Sequence, residues 1–197
     1  HRIGVDFDGR AFLKAGCFSQ NAEKNKECAE FYQVDADRTY ANFKEMAEKE
    51  GAREDGIDFV TITAPNNVHY EAAKAFLENG IHVLCEKPLC FEVEQAEELK
   101  KIAKEKNLLF CVNYSYSGNA MVKEARELIT SGYIGDVINV NAEYLQEYLV
   151  DDIGAGDQVM VKLSSWRKDP EVAGMSNCVG DIGTHIENTV SYMTGLK

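Results

Sequence analysis

Short apolar runs rich in β-branched and aromatic residues alternate along this chain with longer segments whose apolar residues recur every three or four positions. The short runs are typical of strands and the longer segments of amphipathic helices. The predicted strands are residues 12–19, 57–64, 81–87 and 108–114. The predicted helices are residues 22–31, 40–50, 70–79 and 92–106. Strands and helices that alternate with short links predict an α/β fold, a doubly wound parallel sheet with right-handed crossovers.

The pattern changes after about residue 118. The predicted elements beyond it are a helix at 121–131, a strand at 137–149, a weakly periodic loop at 150–179 and a helix at 181–193. The alternating strand is too long and too amphipathic for the first sheet, and loops as long as this one often have a function. We therefore expect one domain at 1–118 and the start of a second, α+β domain with an open mixed sheet at 119–197.

Composition narrows the class of protein. The chain has 197 residues, of which 45% are hydrophobic, and this is enough apolar material for a globular core. Its formal net charge of -12 argues against sequence-independent binding to nucleic acid or anionic membranes, because both require clustered cations. No apolar run is long enough to span a bilayer, and no Cys-x-x-Cys pair occurs among the six cysteines. We expect a cytoplasmic protein with reduced thiols.

One predicted strand ends on charged residues. The apolar run before Glu86 passes directly into Glu86, Lys87 and Pro88. Pro88 lacks a backbone N–H and disfavours the helical conformation for the residue before it, so Lys87 is expected to be extended at the carboxyl end of the strand. Ligands bind at that edge of an open parallel sheet, where a lysine can donate to a substrate or ribose hydroxyl. The alternative is a solvated lysine in a turn.

A second motif precedes the last predicted helix. Asp181 and His185 are four residues apart, which places both side chains on one face at the start of the helix. Together they could bind a hydroxyl group, with His185 taking its proton. The alternatives are a helix cap for Asp181 and a hydrogen-bonded structural role for His185. A zinc site is not favoured, because it would need a third ligand close by and no His-Glu-x-x-His pattern occurs.

Taken together, these segments resemble the Gfo/Idh/MocA family of NAD(P)-dependent oxidoreductases, named for glucose-fructose oxidoreductase and inositol dehydrogenase. The residues Glu86-Lys87-Pro88 resemble the Glu-Lys-Pro that ends a strand of the family's dinucleotide-binding domain. Residues 180–185 resemble its second catalytic motif. Residues 63–66 with His69 resemble the loop under the nicotinamide ribose, and residues 131–137 resemble the domain junction.

The resemblance implies a cofactor, NAD or NADP, and a sugar or cyclic polyol as substrate. It implies that Lys87, Asp181 and His185 form the catalytic group, with His185 as acid/base and the other two orienting the reacting hydroxyl. The cofactor-binding residues that we expect are Ser19, Ala64, Pro65, Asn66, His69, Glu86 and Lys87. The candidates for the sugar pocket are Tyr114, Trp166 and Arg167. Aromatic faces and guanidinium groups suit polyols, although each of these three side chains could equally pack internally or pair on the surface.

The chain departs from the family pattern at its start, at its end and at the strand end at 18–20. The opening strand and Gly-x-Gly-x-x-Gly turn of the family are absent, and the family's second domain normally continues past residue 197, so we expect a chain truncated at both ends. The strand end at 18–20 carries Ser19 but no acid that would bind the ribose 2′-hydroxyl of NAD. The preference between NAD and NADP is therefore open. We expect the full-length protein to be a homo-oligomer.

Three functions fit these features. The first is a dehydrogenase or reductase of a sugar or polyol. The second uses the same fold and a tightly held NAD to cleave a glycosidic bond. The third is a dinucleotide or sugar sensor without catalysis, and the intact set of Lys87, Asp181 and His185 counts against it. Because one fold serves many functions, the fold alone does not identify the substrate.

Overall fold

The structure is a computed structural model that describes residues 2–145 and 165–196. The helices are α1 (Arg2–Asp6), α2 (Ala22–Tyr32), α3 (Phe43–Ala52), α4 (His69–Glu78), α5 (Val93–Glu105), α6 (Ala120–Thr130), α7 (Pro170–Ala173) and α8 (Thr184–Thr194). The strands are β1 (Phe59–Ile62), β2 (His82–Glu86) and β3 (Phe110–Asn113). Single turns of 3₁₀ helix occupy Ala36–Arg38, Asn66–Val68, Ser115–Gly118 and Ser165–Lys168, and a π-helical turn occupies Val179–Gly183.

The three strands form one sheet in the order β1-β2-β3, and β1 pairs with β2 in parallel. In this register Val60 lies opposite Val83, and Ile62 lies opposite Cys85. All four of these side chains are buried. The predicted α/β fold with a parallel sheet is therefore confirmed.

Side-chain caps fix where helices α3 and α5 begin. Helix α3 begins at Phe43 rather than at residue 40, because the side chain of Asn42 accepts a hydrogen bond from the backbone N–H of Glu45. Helix α5 begins after a capping box formed by Glu92 and Gln95. The buried residues are Met46, Ala47 and Glu50 in α3 and Leu99 and Ala103 in α5.

The chain folds as two compact units. The first comprises the chain up to Ala64 together with Val68–Cys85 and Glu92–Cys111. The second comprises Pro65–Asn67, Glu86–Phe91 and the chain from Val112 onward. The division into domains at residue 118 stays a prediction.

The strand predicted at 12–19 is wrong. That segment makes one parallel bridge, between Gly16 and Thr39, in place of a continuous ladder. Gly16 donates to the carbonyl of Arg38 at 3.0 Å and accepts from Tyr40 at 2.9 Å, and the partner segment runs no further alongside. Phe12 remains exposed. An apolar run shows that a strand is favourable locally, but a strand also requires a neighbour of matching length.

The strand predicted at 137–149 is also wrong over its described part. Residues 137–145 have no regular secondary structure, and 146–149 lie outside the described residues. Ile138 is 96% exposed, whereas Tyr144 is 43% exposed and contacts Tyr116. No strand pairs with this segment within the described part of the chain. The last helix begins at Thr184 rather than at 181, because the π-helical turn occupies the residues before it.

Candidate active site

The end of β2 places Glu86 and Lys87. Glu86 accepts hydrogen bonds through Oε1 from Asn113 Nδ2 at 2.7 Å and through Oε2 from the backbone N–H of Lys87 at 3.2 Å. The peptide bond between Lys87 and Pro88 is cis. Glu86 therefore fixes both the end of β3 and the backbone from which the Lys87 side chain extends.

Asp181 lies in the π-helical turn before α8. Gly180 is buried in this turn, and a Cβ atom there would lie 2.8 Å from Ser176 Oγ, which would have to rotate away. Lys87 Nζ donates to the backbone carbonyl of Asp181 and, at 3.0 Å, to its Oδ1. The two side chains are only 13% and 20% exposed. The motifs predicted at residues 86–88 and 180–185 therefore meet directly.

A second cation faces the other oxygen of Asp181. Arg167 Nε lies 3.6 Å from Asp181 Oδ2, which is an ion-pair distance rather than a hydrogen bond. The guanidinium group lies over the ring of Trp166 at 4.6 Å from its centroid. The structure thus places Arg167, a predicted sugar-pocket residue, against the carboxylate of Asp181.

His185 is 7% exposed and is surrounded by aromatic rings. Its ring is stacked on that of Tyr116, with centroids 4.4 Å apart and planes at 29°, and it meets Tyr114 edge to face at 6.0 Å. Its Nδ1 atom is buried and has no hydrogen-bond partner within the described residues. A proton on that atom would be buried without an acceptor, so this position disfavours the doubly protonated imidazolium.

Burial and a nearby positive charge also disfavour the charged form of His185. Burial lowers the pKa of His185 from its ordinary value of 6.5, and the charge of Lys87 lowers it further. Glu86 and Asp181 act in the opposite direction but more weakly. His185 is therefore a neutral imidazole at pH 7, able to accept a proton.

The residues predicted for the loop after β1 have structural contacts. His69 is buried, and its Nε2 donates to the carbonyl of Ala64 at 2.8 Å. Asn66 is buried as well, and its Nδ2 donates to the carbonyl of Ala173 at 3.0 Å. Pro65 is exposed. Their roles toward a cofactor stay predictions.

Ser19 lies in the first unit, where Asn25 organises the chain around it. Asn25 Oδ1 accepts from the backbone N–H groups of Phe18 at 2.7 Å and Ser19 at 3.3 Å, and its Nδ2 donates to the carbonyl of Tyr40. Beside Ser19 lies a cavity of about 360 Å³. The polar residues in its wall include Gln20, Asn25, Lys26 and Thr39.

Comparison with known protein families places the chain. Residues 9–114 match the family described as oxidoreductase family, NAD-binding Rossmann fold (GFO_IDH_MocA), and residues 122–197 match the GFO/IDH/MocA C-terminal domain. The chain belongs to the GFO/IDH/MocA family. The resemblance carried by the motifs at 86–88 and 180–185 is thus confirmed.

Individual members of the family are similar over most of the chain. The oxidoreductase YfiI of Bacillus subtilis is 41% identical over 186 residues, which are 94% of this chain and 47% of that protein. The levoglucosan dehydrogenase of Pseudarthrobacter phenanthrenivorans is 33% identical over 139 residues, 71% of this chain and 33% of that protein.

Solved structures of an inositol dehydrogenase homologue from Azotobacter vinelandii share the fold. The complex with NAD+ has a TM-score of 0.85 and 34% identity, over 93% of this chain and 46% of that one. The complex with NADH and myo-inositol has a TM-score of 0.82 and 32% identity, over 93% and 45%. The chain thus spans about half the length, or less, of the GFO/IDH/MocA proteins that it matches.

Sequence reasoning missed two residues near the site, Asn113 and Tyr116. Asn113 is the last residue of β3, and Tyr116 follows that end of the strand, as the predicted Tyr114 does. The rule that ligands gather at this edge of a parallel sheet applied to all three. Their contacts link the two missed residues to the site. Asn113 donates a hydrogen bond to Glu86, and the ring of Tyr116 is stacked on that of His185.

No group of three His, Cys, Asp or Glu side chains that could hold a metal ion occurs in residues 2–145 and 165–196. In that same part of the chain, no helix has the length and apolar character needed to cross a membrane.

Proposed function

We propose that the full-length protein is an NAD(P)-dependent oxidoreductase that transfers hydride between the nicotinamide and a secondary hydroxyl or ketone of a sugar or cyclic polyol. The observation that carries this proposal is the cluster of a neutral, buried His185 beside the Lys87–Asp181 pair. The relatives named for levoglucosan and inositol dehydrogenases support the substrate class.

Each residue of the cluster has a chemical task. In the oxidation direction, the imidazole of His185 accepts the proton of the substrate hydroxyl as the carbon gives up hydride. Lys87 Nζ carries three protons and uses two of them toward Asp181, so the third can be donated to the substrate oxygen. That donation stabilises negative charge on the oxygen as the proton leaves. Asp181 orients the ammonium group and stabilises the imidazolium that forms.

The first unit offers groups that fit the cofactor. The cavity beside Ser19 has hydroxyl, amide and ammonium groups in its wall, which suit the hydroxyls or phosphate of a ribose. One of them, Lys26, also forms an ion pair with Glu30 at 3.8 Å. We propose that Ser19 and its neighbours hold the ribose next to the adenine and tolerate NADP as well as NAD. When bound, the dinucleotide supplies the hydride acceptor, or the hydride donor in the reverse direction.

The test uses the full-length protein with NAD+ or NADP+ and a panel of polyols, free sugars and glycosides, followed by nicotinamide absorbance. We expect net reduction of the cofactor by at least one polyol or sugar. Release of a sugar from a glycoside without net reduction would instead support the glycoside-cleaving function. Binding of dinucleotide or sugar without any turnover would support the sensor.

Replacing His185 with alanine should then lower turnover by roughly 10²- to 10⁴-fold, because the acid/base group is lost. Dinucleotide affinity, measured by calorimetry, should remain nearly unchanged. Cys178→Ser, an exposed position in the same segment, serves as the control and should leave turnover unchanged. Full turnover in His185→Ala would contradict the assignment.

A further inference from the structure

Tyr116 makes two aromatic contacts in the second unit. Its ring is stacked on His185 at a centroid distance of 4.4 Å. It also lies nearly parallel to Tyr144, with centroids 6.0 Å apart and planes at 8°. The hydroxyl groups of Tyr116 and Tyr144 are 2.9 Å apart and hydrogen-bonded. Tyr116 therefore joins a tyrosine of the segment at 137–145 to the histidine of the candidate active site.

The backbone that carries Tyr116 is tied to the helix that carries His185. Tyr116 lies in the 3₁₀ turn Ser115–Gly118, directly after β3. Ser117 Oγ donates to Asn188 Oδ1 at 2.5 Å, and Asn188 lies one turn after His185 in α8. The position of the tyrosine relative to the imidazole is thus set by the side-chain hydrogen bond between Ser117 and Asn188 on one side and by the Tyr144 hydroxyl on the other.

Tyr116 and Tyr114 cover the imidazole that three charged groups also face. Lys87 and Glu86 act on His185 from the end of β2, and Asp181 acts from the π-helical turn. The largest cause of the lowered pKa of His185 is burial rather than any one of these charges. A ring stacked directly on the imidazole is a source of that burial.

We propose that Tyr116 is a positioning residue, which fixes the ring plane of His185 and shields it from water, and that Tyr144 holds Tyr116 in place. The proposal rests on the proposed function only in that His185 is the acid/base. Tyr116 itself takes no proton from the substrate. Aromatic stacking and the hydroxyl contact are separate interactions, so substitutions can remove them separately.

The test measures the reactivity of His185 directly in the full-length protein. The reagent is diethyl pyrocarbonate, which modifies neutral imidazole, and the rate at the His185 peptide is followed by mass spectrometry across pH. For Tyr116→Leu we expect a several-fold faster rate at high pH, because the ring is uncovered. We also expect the pH midpoint of the reaction to move up toward 6.5, because burial is reduced.

Conservative variants separate the ring from the hydroxyl. Tyr116→Phe and Tyr144→Phe each remove one end of the same hydrogen bond, so each should raise the rate less than Tyr116→Leu does. The double variant should add nothing beyond either single change, because both act on one interaction. Tyr133→Leu, at a position that is 78% exposed, is the matched control and should react as the wild type does.

The outcomes separate this proposal from the proposed function. A rate and midpoint in Tyr116→Leu equal to the wild type would overturn the positioning role. If that variant does not fold, as judged by its thermal unfolding, an unchanged His185 reactivity in both phenylalanine variants would overturn it. These readouts need no turnover, so a protein that shows the expected reactivity but oxidises no polyol would contradict the proposed function alone. Where turnover is measured, Tyr116→Leu should lower kcat more than it raises KM.

Discussion

The two units each contain a partly or fully buried pair of a cation and a carboxylate, and the two pairs differ in how completely they are satisfied. In the first unit, Arg38 donates to both oxygens of Glu50, through Nε at 2.9 Å and through Nη2. Tyr40 donates to Oε1 at 2.6 Å, and the backbone of Ile57 donates to Oε2 at 3.2 Å. Arg38 Nη1 donates to Asp55. Both oxygens of the buried Glu50 therefore have donors within this cluster, and Asp55 at its exposed edge also accepts from Arg53.

The cluster in the second unit is less closed. Among residues 2–145 and 165–196, Lys87 uses two of its three Nζ protons, both toward Asp181, and its side chain is more exposed than those of the Arg38–Glu50 pair. Beside it stands His185, a neutral ring whose protonation can change. A closed network stabilises one conformation, whereas a cluster with a proton to donate and a ring to accept one can take part in chemistry. Burial of a charged pair therefore does not by itself identify an active site.

The cluster of Arg38, Glu50, Tyr40 and Asp55, hereafter the closed cluster, should contribute to the free energy of unfolding. Glu50→Gln should lower the free energy of unfolding by about 3–5 kcal/mol, because the buried guanidinium of Arg38 loses its counter-charge. Urea unfolding of the full-length protein measures this, and turnover per folded molecule should not change. The control is Glu30→Gln, which removes an exposed ion pair with Lys26 and should cost about 1 kcal/mol or less. Equal losses in the two variants would show that Glu50 is not a structural centre.

The cluster of Lys87, Asp181 and His185, hereafter the open cluster, should matter more for turnover than for the free energy of unfolding. Lys87→Met keeps the length of the side chain but removes the donor to the substrate oxygen, so turnover should fall by about 10²- to 10³-fold. The free energy of unfolding should change less than in Glu50→Gln. Steady-state kinetics and urea unfolding on the same samples provide both numbers. Lys74→Met, which removes a more exposed pair with Glu98, should leave turnover intact. Wild-type turnover in Lys87→Met would remove the contrast between the clusters.

The pH dependence of kcat/KM and of stability tests the lowered pKa of His185 in the open cluster. Burial and then Lys87 lower the pKa of His185 below 6.5, so the acid limb of kcat/KM for alcohol oxidation should have its midpoint below 6.5. Lys87→Met should move that midpoint up, because a nearby positive charge is removed. The folded pKa of His185 is lower than the unfolded one. Its contribution to stability is therefore fully present above 6.5 and is lost as the pH falls through the folded pKa.

Urea unfolding at several pH values checks the stability part of that prediction. His185→Gln should show a smaller loss of stability between pH 6.5 and more acidic conditions than the wild type does. An identical loss in both proteins would mean that other groups dominate. The Arg38–Glu50 cluster should contribute nothing to this comparison, since both proteins retain it.

The sequence predicted the parts of the fold that depend on local spacing. Helix α5, with apolar residues at regular three- and four-residue steps, was placed within one residue at each end. The strands at 12–19 and 137–149 were not, because an apolar or alternating run does not say which segment lies beside it. The partner of a strand is a property of the tertiary fold.

The site divides in the same way. Lys87 and Asp181 could be proposed as partners because each lies at a recognisable point, a strand end and a helix start, and the structure brings them into contact. The partner of Arg167 could not be predicted, because a guanidinium group pairs with carboxylates, rings or sugars alike. The burial of Arg38 and Glu50 could not be predicted either, because charged residues in a polar helical pattern indicate a solvated face.

The smallest expected effect concerns Arg167, and it tests whether the open cluster extends beyond Lys87. Arg167 lies 3.6 Å from Asp181 Oδ2 and is 35% exposed, so solvent screens the pair. Arg167→Gln should lower kcat by about fivefold or less, since exposed pairs contribute about 1 kcal/mol or less. If Arg167 acts through Asp181, the loss should be the same for every substrate, and Arg167→Lys should restore part of it by keeping the charge.

If Arg167 instead contacts the sugar, kcat should stay constant while KM rises, and the rise in KM should differ between substrates. Kinetics with two polyols of different size separate these outcomes, and Arg10→Gln, at an exposed position in the first unit, is the control for a general effect of charge. A substrate-dependent KM effect would confine the open cluster to Lys87, Asp181 and His185, and a uniform kcat effect would add Arg167 to it.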